Sequence, residues 1–273
     1  MSDRLVDRRS APASVGRRRD LWAKSAVAYL LNLIIEHNLS YCWNRVHLYS
    51  QWHGTLGIRT FERLKRGKFM LLGVGNYKGG TAKTTTAVHL ATFLQKLGPT
   101  LLIDGDGIRS ATKWSQRGTG HGLPFKVVSH AQMAKFIKDY EHVVIDTEGN
   151  PNDDDIRDLA GSCDLLVVPA VPESVATDGL THTLEMLQKL GNENYKVLLT
   201  MVPPPPRSEG RLLRQMLEQE GIPVFKSEIP RLAAFEKAAA EGVPVCDVKD
   251  DRNSTRAWQA YEDVGKELTN GRS

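Results

Sequence analysis

The stretch with the most chemistry in it reads Gly75-Asn76-Tyr77-Lys78-Gly79-Gly80-Thr81-Ala82-Lys83-Thr84-Thr85. Glycines between two lysines let the backbone bend until successive N–H groups converge, which is how a loop grips phosphate oxygens. A strand pattern precedes the stretch and a helical pattern follows it, so the loop opens onto a helix N-terminus and its partial positive charge. Lys83 stands where it reaches β- and γ-phosphates, and the Thr84 hydroxyl where it reaches Mg²⁺. Gly79, Gly80, Thr81, Ala82 and Thr85 complete the cradle. The usual GxxxxGK[ST] spacing is not met literally, because Gly75 supplies the first glycine and Ala82 stands where a glycine precedes the lysine. Two apolar runs then end in acid: Leu101-Leu102-Ile103 in Asp104-Gly105-Asp106, and Val143-Val144-Ile145 in Asp146. Taken alone, paired acids at a strand end read equally well as a solvated turn.

Such groups need a scaffold that brings strand ends and a helix start to one edge. From Met70 onward, short apolar runs alternate with helical stretches, the signature of stacked βαβ units. Strands are expected over 70–76, 99–104, 126–128, 142–146, 165–169, 196–200 and 224–225, and helices over 84–97, 131–139, 153–161, 175–190 and 210–219. Two shorter helices are expected around Phe235 and Trp258. Several strands are apolar almost throughout, which fits strands covered on both faces by helices. The expected fold class is α/β, a doubly wound, mostly parallel sheet flanked by helices.

Lys78 to Thr85, KGGTAKTT, resembles the deviant Walker A motif KGGxxKT[ST] of the ParA/MinD superfamily of P-loop ATPases, and most of all the ParA partition ATPases. The resemblance runs from Met70 to about Leu268 with its motifs in order. It implies ATP and Mg²⁺ as cofactors, slow partner-stimulated hydrolysis, and a homodimer when ATP is bound. The front lysine, Lys78, would reach the partner subunit's nucleotide and neutralise charge on the transferred γ-phosphoryl group, as an arginine finger does. Asp104-Gly105-Asp106 is similar to switch I, DxDPQ. By that match Asp106 orients the attacking water and Asp104 lies near Mg²⁺, with Gly107-Ile108 replacing the usual Pro-Gln. Asp146 matches the Walker B aspartate, holding Mg²⁺ through water, and Pro203 opens the run expected to wall the adenine pocket. Ser227-Glu228-Ile229-Pro230-Arg231 resembles the TxIPR element of partition ATPases.

Charge is unevenly spread. Residues 1–69 hold 13 Lys/Arg against 5 Asp/Glu, so a chain of net charge +4 carries +8 there and −4 beyond. The domain boundary is accordingly expected at 69/70, with a basic extension, partly disordered and carrying one apolar helix over 21–39, followed by the ATPase domain. Met70 would also make a natural start, and residues 1–69 then read as upstream translated sequence. The apolar run falls short of the roughly 20 residues of a membrane span. Cys42, Cys163 and Cys246 form no CxxC and read as buried free thiols in a reducing compartment. A cytoplasmic, nucleoid-associated protein is expected.

Three branches stay open. A partition ATPase would bind nonspecific DNA as its ATP dimer and release it when a small cargo-adaptor protein stimulates hydrolysis. Arg207, Arg211 and Arg214, spaced along one helix, and Arg231 are the candidate phosphate contacts. A solvated face is the competing reading of those charges. A membrane-positioning ATPase needs a basic amphipathic C-terminal helix, whereas 257–268 leans acidic and reads as docked on its own core, so no stable membrane association is expected. A biosynthetic enzyme sharing the loop would show no DNA affinity.

Overall fold

In the computed structural model, residues 70–118, 122–149, 151–173 and 177–270 are described. The expected extension over 1–69, with its helix and its Cys42, lies outside them, as do Asn150 and Val175. Six apolar runs become strands: β1 (Met70–Val74), β2 (Thr100–Asp104), β3 (Lys126–Ser129), β4 (His142–Asp146), β5 (Leu165–Ala170) and β6 (Tyr195–Leu199). Every pairing among them is parallel, in the order β3-β2-β4-β1-β5-β6. All five residues of each of β1, β2 and β4 are buried, the double covering that their composition demands. The expected seventh strand is reduced to a single parallel bridge, Val197 to Val224, closed by the Val197 N–H on Pro223 O (2.8 Å) and the Phe225 N–H on Val197 O (2.9 Å).

The helices are α1 (Lys83–Gln95), α2 (Ser110–Arg117), α3 (Met133–Phe136), α4 (Asp153–Ser162), α5 (Thr177–Lys189), α6 (Glu209–Gln219), α7 (Ala234–Glu241) and α8 (Ser254–Asn270). Three differ from expectation. The single helix expected over 131–139 is instead one short turn, α3, between two 3₁₀ turns at His130–Gln132 and Ile137–Asp139. Of its side chains only Met133 and Ile137 are buried, too thin a stripe to hold a continuous short helix by packing. Helix α2 was not expected, because SATKWSQR offers only Ala111 and Trp114 to the core. Tertiary bonds secure it: the Trp114 Nε1–H donates to Val243 O (3.0 Å) and Arg117 to Ala239 O (2.9 Å). Helix α8 has 17 residues and is not short; its Trp258, Tyr261, Val264 and Leu268 are buried, the docked face expected of this segment.

Helix α1 runs through the interior, with ten of its thirteen residues buried. Leu90 and Leu94 are wholly enclosed, each worth about 1.5–3 kcal/mol of transfer free energy. Helix α8 crosses it so closely that a Cβ on Gly265 would lie 2.4 Å from the Phe93 ring. His89 of α1 is enclosed as well. Its Nε2 accepts the Val245 N–H (3.0 Å), which leaves the proton on Nδ1 to donate to Thr85 O (2.7 Å). The ring stacks on Tyr261 at 4.7 Å between centroids, and burial lowers the His89 pKa to about 4.

Candidate nucleotide site

Register delivers the site. Asp146, the last residue of β4, pairs with Val74 at the end of β1 and with Asp104 at the end of β2. The chain leaves β1 for β2 on one side and reaches β5 and β6 on the other, so the crevice at the carboxyl ends is the switch point where such sheets take ligands.

The loop after β1 is anchored at its root. The Gly75 N–H donates to Val167 O (3.1 Å), and the buried Asn76 side chain donates to Pro169 O (2.7 Å) while accepting the Lys78 N–H (3.1 Å). Pro169 is tolerated inside β5 because its missing N–H would face the side where β1 has already ended. Thr200, just past β6, donates to Thr81 O (3.1 Å) and braces the far side. Gly80 (φ 75°) and Ala82 (φ 64°) both take the left-handed conformation, a free choice for glycine and a strained one for alanine. Ala82 is also the N-cap of α1, with no side-chain cap and no acidic residue in the first turn. The first N–H groups of a helix have no intrahelical partner, so this uncapped end fits an anion.

Lys83 is buried, and its ammonium donates to three carbonyl oxygens: Asn76 O (3.0 Å), Lys78 O (2.7 Å) and Gly149 O (3.3 Å). Burial lowers its pKa, against the pull of Asp146, Asp106 and Glu148. Asp146 is fully enclosed and neither carboxylate oxygen has a hydrogen-bond partner. Burial raises its pKa to about 8; the nearby Thr84 hydroxyl opposes this without closing a bond of normal geometry, and Asp104 and Asp106 reinforce it. An orphaned buried carboxylate beside a hydroxyl at a helix start is an oxygen donor set that fits Mg²⁺.

The two carboxylates expected to act as switch I, Asp104 and Asp106, are engaged by the turn into α2. Asp104 accepts the Thr112 N–H (2.7 Å) and hydroxyl (2.5 Å) on one oxygen and the Asp106 N–H (3.2 Å) on the other. Asp106 accepts the Ile108 N–H (2.9 Å) and the Ser110 hydroxyl (2.8 Å). With Gly107-Ile108 in place of Pro-Gln, the acids themselves close the turn into α2, and Ile108 is left 69% exposed. Gly105 is needed there, since a Cβ would sit 2.8 Å from Asp146 O.

At the other end, Pro203 follows Val202, whose N–H donates to Ile229 O (2.9 Å) and whose carbonyl accepts the Arg231 N–H (2.9 Å). The Ile229-Pro230-Arg231 segment is thus pinned beside the expected adenine wall. The four arginines part company. Arg207 and Arg211 are exposed. Arg214 turns inward to donate to Phe225 O (2.6 Å) and pairs with Glu228 (3.4 Å), and Arg231 pairs with Glu173 (2.8 Å). Arg207 precedes α6, so the three do not share one helical stripe.

A cluster missed by sequence reasoning surrounds Tyr77, which meets Asp153 of α4 and His182 and Thr183 of α5. No spacing in the sequence could signal it, because its members come from three separate elements. Of the cysteines, Cys163 is buried and burial pushes its thiol pKa up, whereas Cys246 is exposed, contrary to the expectation for all three. Among the described residues no helix is long and apolar enough to cross a membrane, and no group of three or more His, Cys, Asp or Glu side chains is gathered to hold a metal by themselves.

Comparison with known proteins agrees with this geometry. Residues 72–245 match the family model of the CobQ/CobB/MinD/ParA nucleotide binding domain. Maintenance of carboxysome distribution protein A from Gloeobacter kilaueensis is 31% identical over 202 residues, 72% of this chain and 93% of that protein. The chromosome-partitioning ATPase Soj from Thermus thermophilus is 27% identical over 221 residues, 65% of this chain and 87% of that protein. A solved ATP complex of Cyanothece McdA matches with a TM-score of 0.55 at 16% identity, covering 74% of this chain and 96% of that one, a likeness of fold. With a phosphate loop fronted by a second lysine on a wholly parallel sheet, the chain belongs to the ParA/MinD superfamily, the CobQ/CobB/MinD/ParA nucleotide-binding family.

Proposed function

We propose that the chain is an ATP-dependent dimerising ATPase that positions a large cargo by nucleotide-gated, nonspecific DNA binding. The observation that carries this is the pairing of an uncapped α1 N-terminus and orphaned Asp146 with a second cation, Lys78, at the loop's front. Loop N–H groups and Lys83 bind the phosphates; Thr84 and Asp146 hold Mg²⁺, which neutralises charge on the phosphate oxygens when bound. Lys83 then exchanges its three carbonyl partners for phosphate oxygens. Asp106 orients the attacking water after its hold on Ser110 loosens, and Asp104 stands by as a second acid. Lys78 enters the partner subunit's site, so hydrolysis waits on dimer closure. Pro203 walls the adenine. Arg207 and Arg211 are the cations best placed for DNA phosphates, with Arg214 and Arg231 tied to carboxylates.

A relative named for carboxysome distribution favours a protein compartment as cargo over a plasmid or chromosome, with a small adaptor protein stimulating hydrolysis. The chain then works in the cytoplasm on the nucleoid. The test is sedimentation and DNA binding with ADP, ATP and a slowly hydrolysed analogue. A dimer and salt-sensitive, sequence-indifferent DNA affinity are expected with ATP or the analogue only. DNA binding indifferent to nucleotide would sink the switch, and none in any state would favour a biosynthetic enzyme. Lys83→Ala should lose the nucleotide response, and Lys78→Ala should bind nucleotide yet lose hydrolysis.

A further inference from the structure

Tyr77, the residue before the front lysine, is gripped by two other elements. Its hydroxyl donates to Oδ1 of Asp153, the first residue of α4. Its ring packs against His182 of α5, 4.2 Å between centroids, and its N–H donates to Thr183 Oγ1 (3.3 Å). His182 Nε2 lies 3.3 Å from the same Asp153 oxygen, so one carboxylate gathers both side chains. The Tyr77 hydrogen bond is the largest influence on the Asp153 carboxyl, which is held below its usual pKa. Asp153 and His182 remain about half exposed, at 53% and 51% of their side chains, so the tie is made at the rim of the site and adds little to the core.

Lys78 sits inside this frame. Its N–H goes to Asn76 Oδ1, which lies 3.2 Å from Thr183 Oγ1. Gly179 of α5 abuts it so closely that a Cβ there would be 2.7 Å from Lys78 Cβ. On the other side come Gly79 and the left-handed Gly80, a flexible joint between the front of the loop and the part that grips phosphate. The Lys83 ammonium also holds Lys78 O (2.7 Å), but a phosphate competes for that ammonium. The contacts of Tyr77, by contrast, involve neither Lys83 nor the N–H groups that open α1.

We propose that Tyr77, Asp153 and His182 form a clasp that positions Lys78 for hydrolysis, making Tyr77 a positioning residue for turnover and not for nucleotide binding. The proposal rests on the role given to Lys78 above. A displacement of about 1 Å in such a group can cost on the order of a hundredfold in rate, so loss of one hydroxyl should be visible.

The experiment uses the full chain and measures ATP turnover, affinity for a fluorescent ADP analogue, and the thermal midpoint. Tyr77→Phe should lower kcat about tenfold while affinity and midpoint stay at wild-type values. Asp153→Asn keeps an acceptor and should retain turnover. Asp153→Ala should match Tyr77→Phe, and the double variant should be no slower than either single one, because both remove the same bond. Wild-type turnover in Tyr77→Phe, with Lys78→Ala inactive, would overturn the clasp alone. A fall in affinity and midpoint along with kcat would show simple structural support and overturn it too. Full activity in Lys78→Ala would instead refute the cross-dimer lysine, and the clasp's purpose with it.

Discussion

Ala82 shows how a single methyl group shapes the loop. Its left-handed φ of 64° costs a non-glycine residue about 1–2 kcal/mol, and glycine would give back about 0.5–1 kcal/mol of that through its freer unfolded chain. Ala82→Gly should therefore stabilise the ligand-free protein by about 0.5–1 kcal/mol in urea unfolding, with the Gly80 turn unchanged. The loop, its lysines and the three acids at the ends of β2 and β4 were legible as positions because contiguous spacing marks them. What each acid does was less so. Asp104 has its lone pairs taken by Thr112 eight residues on, and Arg214 is recruited by the carbonyl of Phe225, facts fixed by how the chain folds back and not by residue type.

At the scale of elements, the buried strands β1, β2, β4 and β5 were readable because strands covered on both faces are apolar almost throughout. Helix α2 was hidden because its stability comes from Trp114 and Arg117 bonding to distant carbonyls, which leaves no periodic stripe. The packing of α8 on α1 makes a sharp prediction. Gly265→Ala would drive a methyl into the Phe93 ring and should cost about 1–3 kcal/mol or more in urea unfolding. His89, joining α1 to the Val245 turn, should give that interface a pH dependence. An unfolded histidine binds its proton near 6.5 and the buried one only near 4, so between those values the unfolded chain holds more protons. Stability is then fully present above pH 6.5 and falls by about 3 kcal/mol on the way down to 4. Urea unfolding across that range should show the slope, and His89→Gln should be weaker at pH 7 but flatter.

For the whole molecule, the sheet's switch point fixes where ligand binds, while α6 lies at the β6 side with Arg207 and Arg211 exposed. Replacing both with Glu should weaken DNA binding uniformly across sequences and flatten its salt dependence by about two phosphate contacts, leaving ATP turnover intact. Equal salt dependence would place the DNA face elsewhere. The orphaned carboxylate of Asp146 carries a consequence for how long the protein lasts. An uncompensated acid in the interior makes the ligand-free form the fragile one, whereas nucleotide at a thousand times its Kd adds about 4 kcal/mol to the folded state. Proteases act on chains that open, so the nucleotide-free protein should be digested faster than the nucleotide-bound one.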